Sequence, residues 1–327
     1  MKQCNASELL EKTPDCGFPT DYLLSRIKGR RARLVSGWKE LIASTSPLEH
    51  LPDGHYQKTF GDKTPDTVWR ALLGEYRWLY SQMNRRLRET LSPFFLYTEL
   101  RTLFVCLRYV RELKGDRLRE ILSASLLSDE IRKILCQSQD ELSAARGIEE
   151  KFLCLSGQFR GMTEIMKQDG LKAYERELTE RFLSIIVRSA LDPVLFAFFK
   201  WLIDARNILS LTKLLKTSTQ EKYLFISGGT VDTGRLLEIL KTRNEPKADK
   251  LLLEWTGEEV SSADLADVEA SLYKGISRSL KRYRREPLGI GPVLDYLWKC
   301  SLEAMNLGIL SYGLKLKRDV VAAELIQ

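Results

Sequence analysis

The stretch PVLFAFFKWLIDARNILSLTKLLK (193–216) returns near the end of the chain as PVLDYLWKCSLEAMNLGILSYGLK (292–315). The two align without a gap at an offset of 99, and nine of 24 positions are identical. Residue frequencies alone give about one or two identities. At the centre of each copy is an acid-x-x-Asn-aliphatic element, Asp204-Ala-Arg-Asn207-Ile and Glu303-Ala-Met-Asn306-Leu. A weaker version, Glu99-Leu-Arg-Thr102-Leu, lies 105 residues before Asp204. Near-even recurrence of one element predicts one architectural unit used three times.

The similarity extends past the polar element. Arg117-Leu-Arg-Glu-Ile-Leu122 follows the first copy, Arg235-Leu-Leu-Glu-Ile-Leu240 the second, and Ala323-Glu-Leu-Ile326 closes the third. Each unit reads as a long helix, a turn and a second helix. The second turn is the longest and holds Phe225-Ile-Ser-Gly-Gly-Thr230, whose paired glycines admit left-handed backbone. Leu, Glu, Lys, Arg and Ala dominate, with only ten prolines, so an all-α fold of three similar helical domains is expected. The boundaries are a lead-in over 1–20 and units over 21–138, 139–245 and 246–327, the N-terminal helix being able to pack with the third.

That N-terminal helix is basic and amphipathic over 22–34, with apolar positions 23, 27 and 34 on one face. Three prolines and two glycines make 45–65 a loop, and Thr64-Pro65-Asp66 is a helix start. Further breaks are expected near Leu91-Ser-Pro93, Lys114-Gly115-Asp116, Asp169-Gly170, Asp192-Pro193, 217–233, 242–248 and 286–292.

With 44% apolar and 29% charged residues the chain of 327 is globular rather than disordered. Its net charge of +7 suits nucleic acid, anionic headgroups or an acidic protein, but is small beside 51 basic and 44 acidic side chains. Solvated helix faces account for most of those charges. The six cysteines (4, 16, 106, 136, 154 and 300) form no C-x-x-C pair and four fall in apolar helical stretches, which points to reduced, intracellular thiols. Met1-Lys-Gln-Cys-Asn lacks the apolar core of a signal peptide. The most apolar run, 193–203, is too short for a bilayer and contains Lys200, so any membrane contact is peripheral.

Catalytic chemistry finds little support. The two histidines, His50 and His55, share the Pro/Gly loop without further metal ligands nearby. Gly228-Gly229 lacks the lysine of a phosphate loop, Gly289-Ile-Gly291 is a helix lead-in, and no G-x-S-x-G elbow occurs. No catalytic, cofactor-binding or metal residue is therefore expected. Residues i and i+3 share a helical face, so Asp204 projects with Asn207 and Glu303 with Asn306. Such pairs can bond loop backbone within each unit or form a partner surface; recurrence in every unit favours the structural role. Two basic clusters remain, Arg26, Lys28, Arg30, Arg31 and Arg33, and Lys281, Arg282, Arg284 and Arg285 around Tyr283. They suit phosphates with Tyr283 stacking a base, an acidic protein surface, or lipid headgroups, and no named nucleic-acid module frames them.

The motifs in order resemble the C subunit of V/A-type rotary ATPases, the counterpart of eukaryotic subunit d. They are Tyr22-x-x-x-Arg26-x-Lys28-x-x-x-x-Arg33-Leu34; Glu99-x-x-Thr102-Leu with Leu107-Arg108; Asp204-x-x-Asn207-Ile with Leu214-Leu215-Lys216; Phe225-Ile-Ser-Gly228-Gly229; and Pro287-Leu-Gly-Ile-Gly-Pro-Val-Leu-Asp-Tyr-Leu297 before Glu303-x-x-Asn306-Leu307. The resemblance covers Tyr22 to the C-terminus. Departures from the family pattern are Thr102 in place of Asn, Ser227 in place of Pro and Gly308 in place of Arg. The resemblance implies a funnel of three helical domains in pseudo-three-fold arrangement. It implies a non-catalytic central-stalk subunit, cytoplasmic and peripheral to the membrane, that joins the central shaft subunits of the ATPase head to the membrane rotor ring. No nucleic acid or cofactor is implied. The other reading of the residues is a basic helical scaffold or nucleic-acid-binding protein.

Overall fold

Short polar side chains at the helix mouths decide where this chain turns. The computed structural model describes residues 5–16, 18–43, 64–217, 225–284, 289–313, 321–322 and 324–326. Among them the chain forms α-helices and no β-strand, with a single isolated bridge, Leu10 to Leu127. Asn84, Ser128, Asp140, Asp192, Asp232, Asn244 and Asp264 each accept a hydrogen bond from a backbone N–H in the first turn of the helix they precede. Each satisfies a donor that has no partner inside its helix.

The chain divides into two compact units. The first comprises residues 1–23 and 69–191. It holds most of α3 (Pro65–Gln82), then α4 (Arg85–Arg111), α5 (Gly115–Ala124), α6 (Asp129–Gln137), α7 (Glu141–Phe152) and α8 (Met162–Ile186). Its core has an aromatic centre in which Tyr76 meets Phe94 and Phe95 edge-on at 5.9 and 6.0 Å, the favoured arrangement of ring quadrupoles. The second comprises 24–68 and 192–327. It holds most of α1 (Thr20–Arg31), α2 (Trp38–Ala43), and α9 (Pro193–Lys216) to α13, that is, α10 (Thr233–Thr242), α11 (Glu245–Thr256), α12 (Leu265–Tyr283) and α13 (Gly291–Gly313). There Phe198 and Tyr273 both pack edge-on against Trp298 at 5.7 Å, and the Trp298 indole N–H donates to Ser277 at 2.9 Å.

Most of the expected breaks lie where Gly and Pro put them. Gly170 has φ 80° and kinks α8, and Pro193 is the first residue of α9. The break expected near Pro93 is corrected, because α4 runs through it without interruption. Pro93 has no N–H for the Glu89 carbonyl, but the buried Ser92 hydroxyl donates to that oxygen at 2.8 Å. Burial of Phe94 and Phe95 offsets the rest of the roughly 3 kcal/mol that an interior proline costs. The turns at Ser128 and Asp140 carry caps rather than breakers, and the turn from α11 to α12 has both, Gly257 at φ 70° and Asp264 as the cap. The basic helix stops at Arg31: Leu23 and Ile27 are buried, and Leu34 lies beyond its end. Among the described cysteines, Cys106 and Cys300 are buried thiols, Cys16 and Cys136 are exposed thiols, and Cys154 is disulfide-bonded, against the expectation of reduced thiols throughout. Most of the 45–65 loop, with His50 and His55, lies outside the described residues, as do 286–288.

Two copies of the repeated long helix now have partners of equal length. α5 buries Leu118, Ile121 and Leu122, and α10 buries Leu236 and Ile239 at matching positions. Among the described residues no helix is long and apolar enough to cross a membrane.

Glycine spacing gives a paired test. A Cβ on Gly291 would collide with the carbonyl of Tyr283, where the end of α12 meets the start of α13, whereas a Cβ on Gly308 meets nothing within 4 Å. Gly291→Ala should destabilise by about 1–3 kcal/mol. Gly308→Ala, within a helix, should stabilise by about 0.5–1 kcal/mol. Chemical denaturation of the two variants should move the midpoint in opposite directions.

Candidate functional site

The repeated polar residues are buried, and the acids and asparagines reach backbone rather than solvent. On α9, Asn207 donates through Nδ2 to the Ile226 carbonyl at 2.8 Å and accepts the Ile226 N–H through Oδ1 at 2.9 Å. On α13, Asn306 does the same to Ile326, at 2.8 and 2.9 Å. One primary amide thus satisfies both polar groups of one residue, as a neighbouring strand would.

One turn before Asn207, the fully buried Asp204 carboxylate accepts the N–H groups of Thr230 at 2.9 and 3.0 Å and of Val231 at 3.0 Å, and the Thr230 hydroxyl. The Gly-Gly turn delivers those donors. Gly228 adopts φ 103°, and a Cβ on Gly229 would strike the Asp204 carboxylate, so only glycine lets the turn come this close. Trp255 of α11 directs its indole N–H to the same carboxylate at 3.5 Å, a long contact.

In the first copy Glu99 is 1% exposed. It accepts the N–H of Leu126 and, at 2.8 Å, the hydroxyl of Ser125. Burial pushes its carboxyl above the usual range, opposed by those hydrogen bonds and by Arg132. Thr102, in the Asn position, accepts the Trp69 indole N–H at 3.4 Å and clips no backbone residue among those described. The segment that Glu99 holds also meets the N-terminal strand-like stretch, with Glu11 N–H donating to Leu126 at 2.7 Å and Ser128 N–H to Leu9 at 3.0 Å. Arg108, on the same helix, reaches Glu175 of α8 with one Nη at 2.7 Å from both carboxylate oxygens. On α13 the buried Glu303 accepts the Val35 N–H at 2.7 Å, tying the chain after α1 to the last long helix.

The two basic clusters, some 250 residues apart in sequence, meet in the second unit. Arg31 approaches the Asp295 carboxylate at 3.0 Å and Lys299 approaches it at 3.3 Å, while Asp295 itself is 1% exposed. These are charge contacts without hydrogen-bond alignment. Burial holds Arg31 and Lys299 below their usual ranges; Asp295 opposes this, and the nearby Arg284 charge reinforces it. Of the other expected contact residues, Lys28, Arg33, Lys281 and Arg282 are exposed, Arg26 and Arg30 are half-buried, and Arg285 lies outside the described residues. Asp295 escaped the sequence reading, and so did its pairing with Arg31 and Lys299. The signal was a lone carboxylate inside an apolar run, at the position that aligns with Phe196. Among the described residues no group of His, Cys, Asp and Glu is placed to hold a metal ion.

Asn207→Ala strands two buried backbone groups and should cost about 2–4 kcal/mol, read as a lowered denaturation midpoint. Glu99 makes a pH-dependent contribution. Its folded pKa is raised, so the stabilisation is full below the unfolded value near 4.5 and is lost as pH rises through the folded pKa. Melting temperatures of the wild type and Glu99→Gln followed from acid to neutral pH should show the wild type losing stability relative to the variant.

A search of curated proteins finds no match. A sequence model described as the ATP synthase (C/AC39) subunit matches residues 48–321, five-sixths of the chain, with Glu99, Asp204, Asn207, Glu303 and Asn306 inside it. By that match this chain belongs to the ATP synthase (C/AC39) subunit family.

Proposed function

We propose that this protein is a non-catalytic central-stalk subunit of a V/A-type rotary ATPase, coupling the shaft of the soluble head to the membrane rotor ring. The observation that carries the reading is the family match over 48–321. The internal repeat supports it, and in this reading three related helical units, over 21–138, 139–245 and 246–327, form a funnel around the shaft. The work assigned to such a subunit is mechanical. It has to transmit torque without deforming, and for that the long helices need fixed neighbours. Buried carboxylates and amides that grip backbone supply such fixation, because slipping any one of them exposes unsatisfied polar groups in a dry interior.

In this reading the protein sits on the cytoplasmic side, peripheral to the membrane, with rotor-ring and shaft subunits as partners. An apolar contact core makes ring binding tolerant of moderate salt, whereas phosphate binding falls steeply with it. Affinity purification of the tagged protein from its own cells at moderate salt should recover rotor-ring and shaft subunits. Recovery of nucleic acid with no ATPase subunit would overturn the proposal.

A further inference from the structure

Two cations pair with one carboxylate, and a third lies near them, at the junction of α1, α12 and α13. Arg31 and Lys299 both pair with Asp295, and Arg284 adds a third positive charge within electrostatic range of both. Among the described residues, neither Arg31 nor Lys299 has an ion pair with any other acid. Among the described residues these three cations and one carboxylate leave a surplus of two positive charges. Its arrangement is fixed: Asp295 is buried, α12 and α13 touch where Tyr283 crosses Gly291, and Tyr283 lies against Trp201 at 6.0 Å between ring centres.

The cations are accessible but recessed. Arg31 is 28% and Lys299 31% exposed at the side chain, and Arg284, Tyr283 and Trp201 are all half-buried. A structural ion pair needs one cation for one carboxylate; like charges crowded around a half-buried site repel one another unless a further anion arrives. The second copy of the repeat makes the comparison internally. There Lys200 lies over the Phe196 ring at 5.2 Å, in the place where Lys299 meets Asp295, and no such excess of charge is built.

We propose that this cluster is a docking site for an acidic segment of a partner protein, whose carboxylates pair with Arg284, Lys299 and the outer edge of Arg31. Three features select a protein carboxylate. Half-buried cations cannot lie flush on a bilayer as protruding lysines do. The fixed Asp295 repels a phosphate dianion more strongly than it repels single carboxylates. The flanking Tyr283 and Trp201, with arginine between helices, are the residue types enriched in protein interfaces. The site does not depend on which complex the protein joins.

The test leaves Arg31 in place, because removing it would leave buried Asp295 underpaired and destabilise the fold. Titration of the whole protein with a hexaglutamate peptide should show saturable binding that weakens with salt. Arg284→Gln and Lys299→Gln should each weaken it roughly tenfold, with circular dichroism and melting temperature little changed. Inorganic phosphate and phosphatidylglycerol vesicles are the competing probes. Equal peptide binding by the wild type and the Arg284→Gln/Lys299→Gln double variant would overturn the proposal. So would absence of peptide binding, or binding of phosphate or vesicles in its place with the same dependence on these two residues.

Discussion

A carboxylate or amide with almost no exposed surface must find donors or acceptors inside the protein, and this requirement organises the molecule. On α4, α9 and α13 the partners are backbone groups distant in sequence: Leu126 for Glu99, Ile226 and Thr230 for the α9 pair, Ile326 and Val35 for the α13 pair. Each bond fixes a piece of irregular chain against a long helix. Irregular segments are where a helical protein otherwise yields, since their own backbone bonds are few. The aromatic cores hold helix to helix; the buried polar groups hold loop to helix.

Much of this architecture is written locally. The offset of 99 between two long helices, the cap-and-proline pair Asp192-Pro193 and the glycine at 170 are each decided by a few adjacent residues. What escaped the reading depends on distant residues. Whether Pro93 breaks α4 turns on Ser92 finding the Glu89 carbonyl and on two phenyl rings finding Tyr76. Turns at Ser128 and Asp140 carry no Gly or Pro signal and emerge only when the cap is seen to close. The polar element was legible as a repeat, but its partners at 226 and 326 were not, because pairing across some twenty residues leaves no period in the sequence.

The basic clusters illustrate the same division. Each could be read as a solvated face when taken alone, since a run of arginines on a helix has an ordinary explanation. Only the packing of α1 and α12 near α13 brings Arg31 to the Asp295 carboxylate with the Arg284 charge close by. The repeat sharpens the point: Phe196 and Asp295 occupy equivalent positions below equivalent lysines, so one framework supports an aromatic contact in one copy and a charged one in the other.

The Gly-Gly turn over Asp204 ties two choices together. In the first copy a glutamate extends one methylene further and reaches Ser125 and Leu126 without a glycine pair. In the second the acid is shorter, so the turn has descended to meet it and has lost its Cβ in doing so. Acid length and turn composition are therefore a single heritable choice. Neither position can drift alone, and among related chains a longer acid at 204 should travel with a retreating, glycine-free turn.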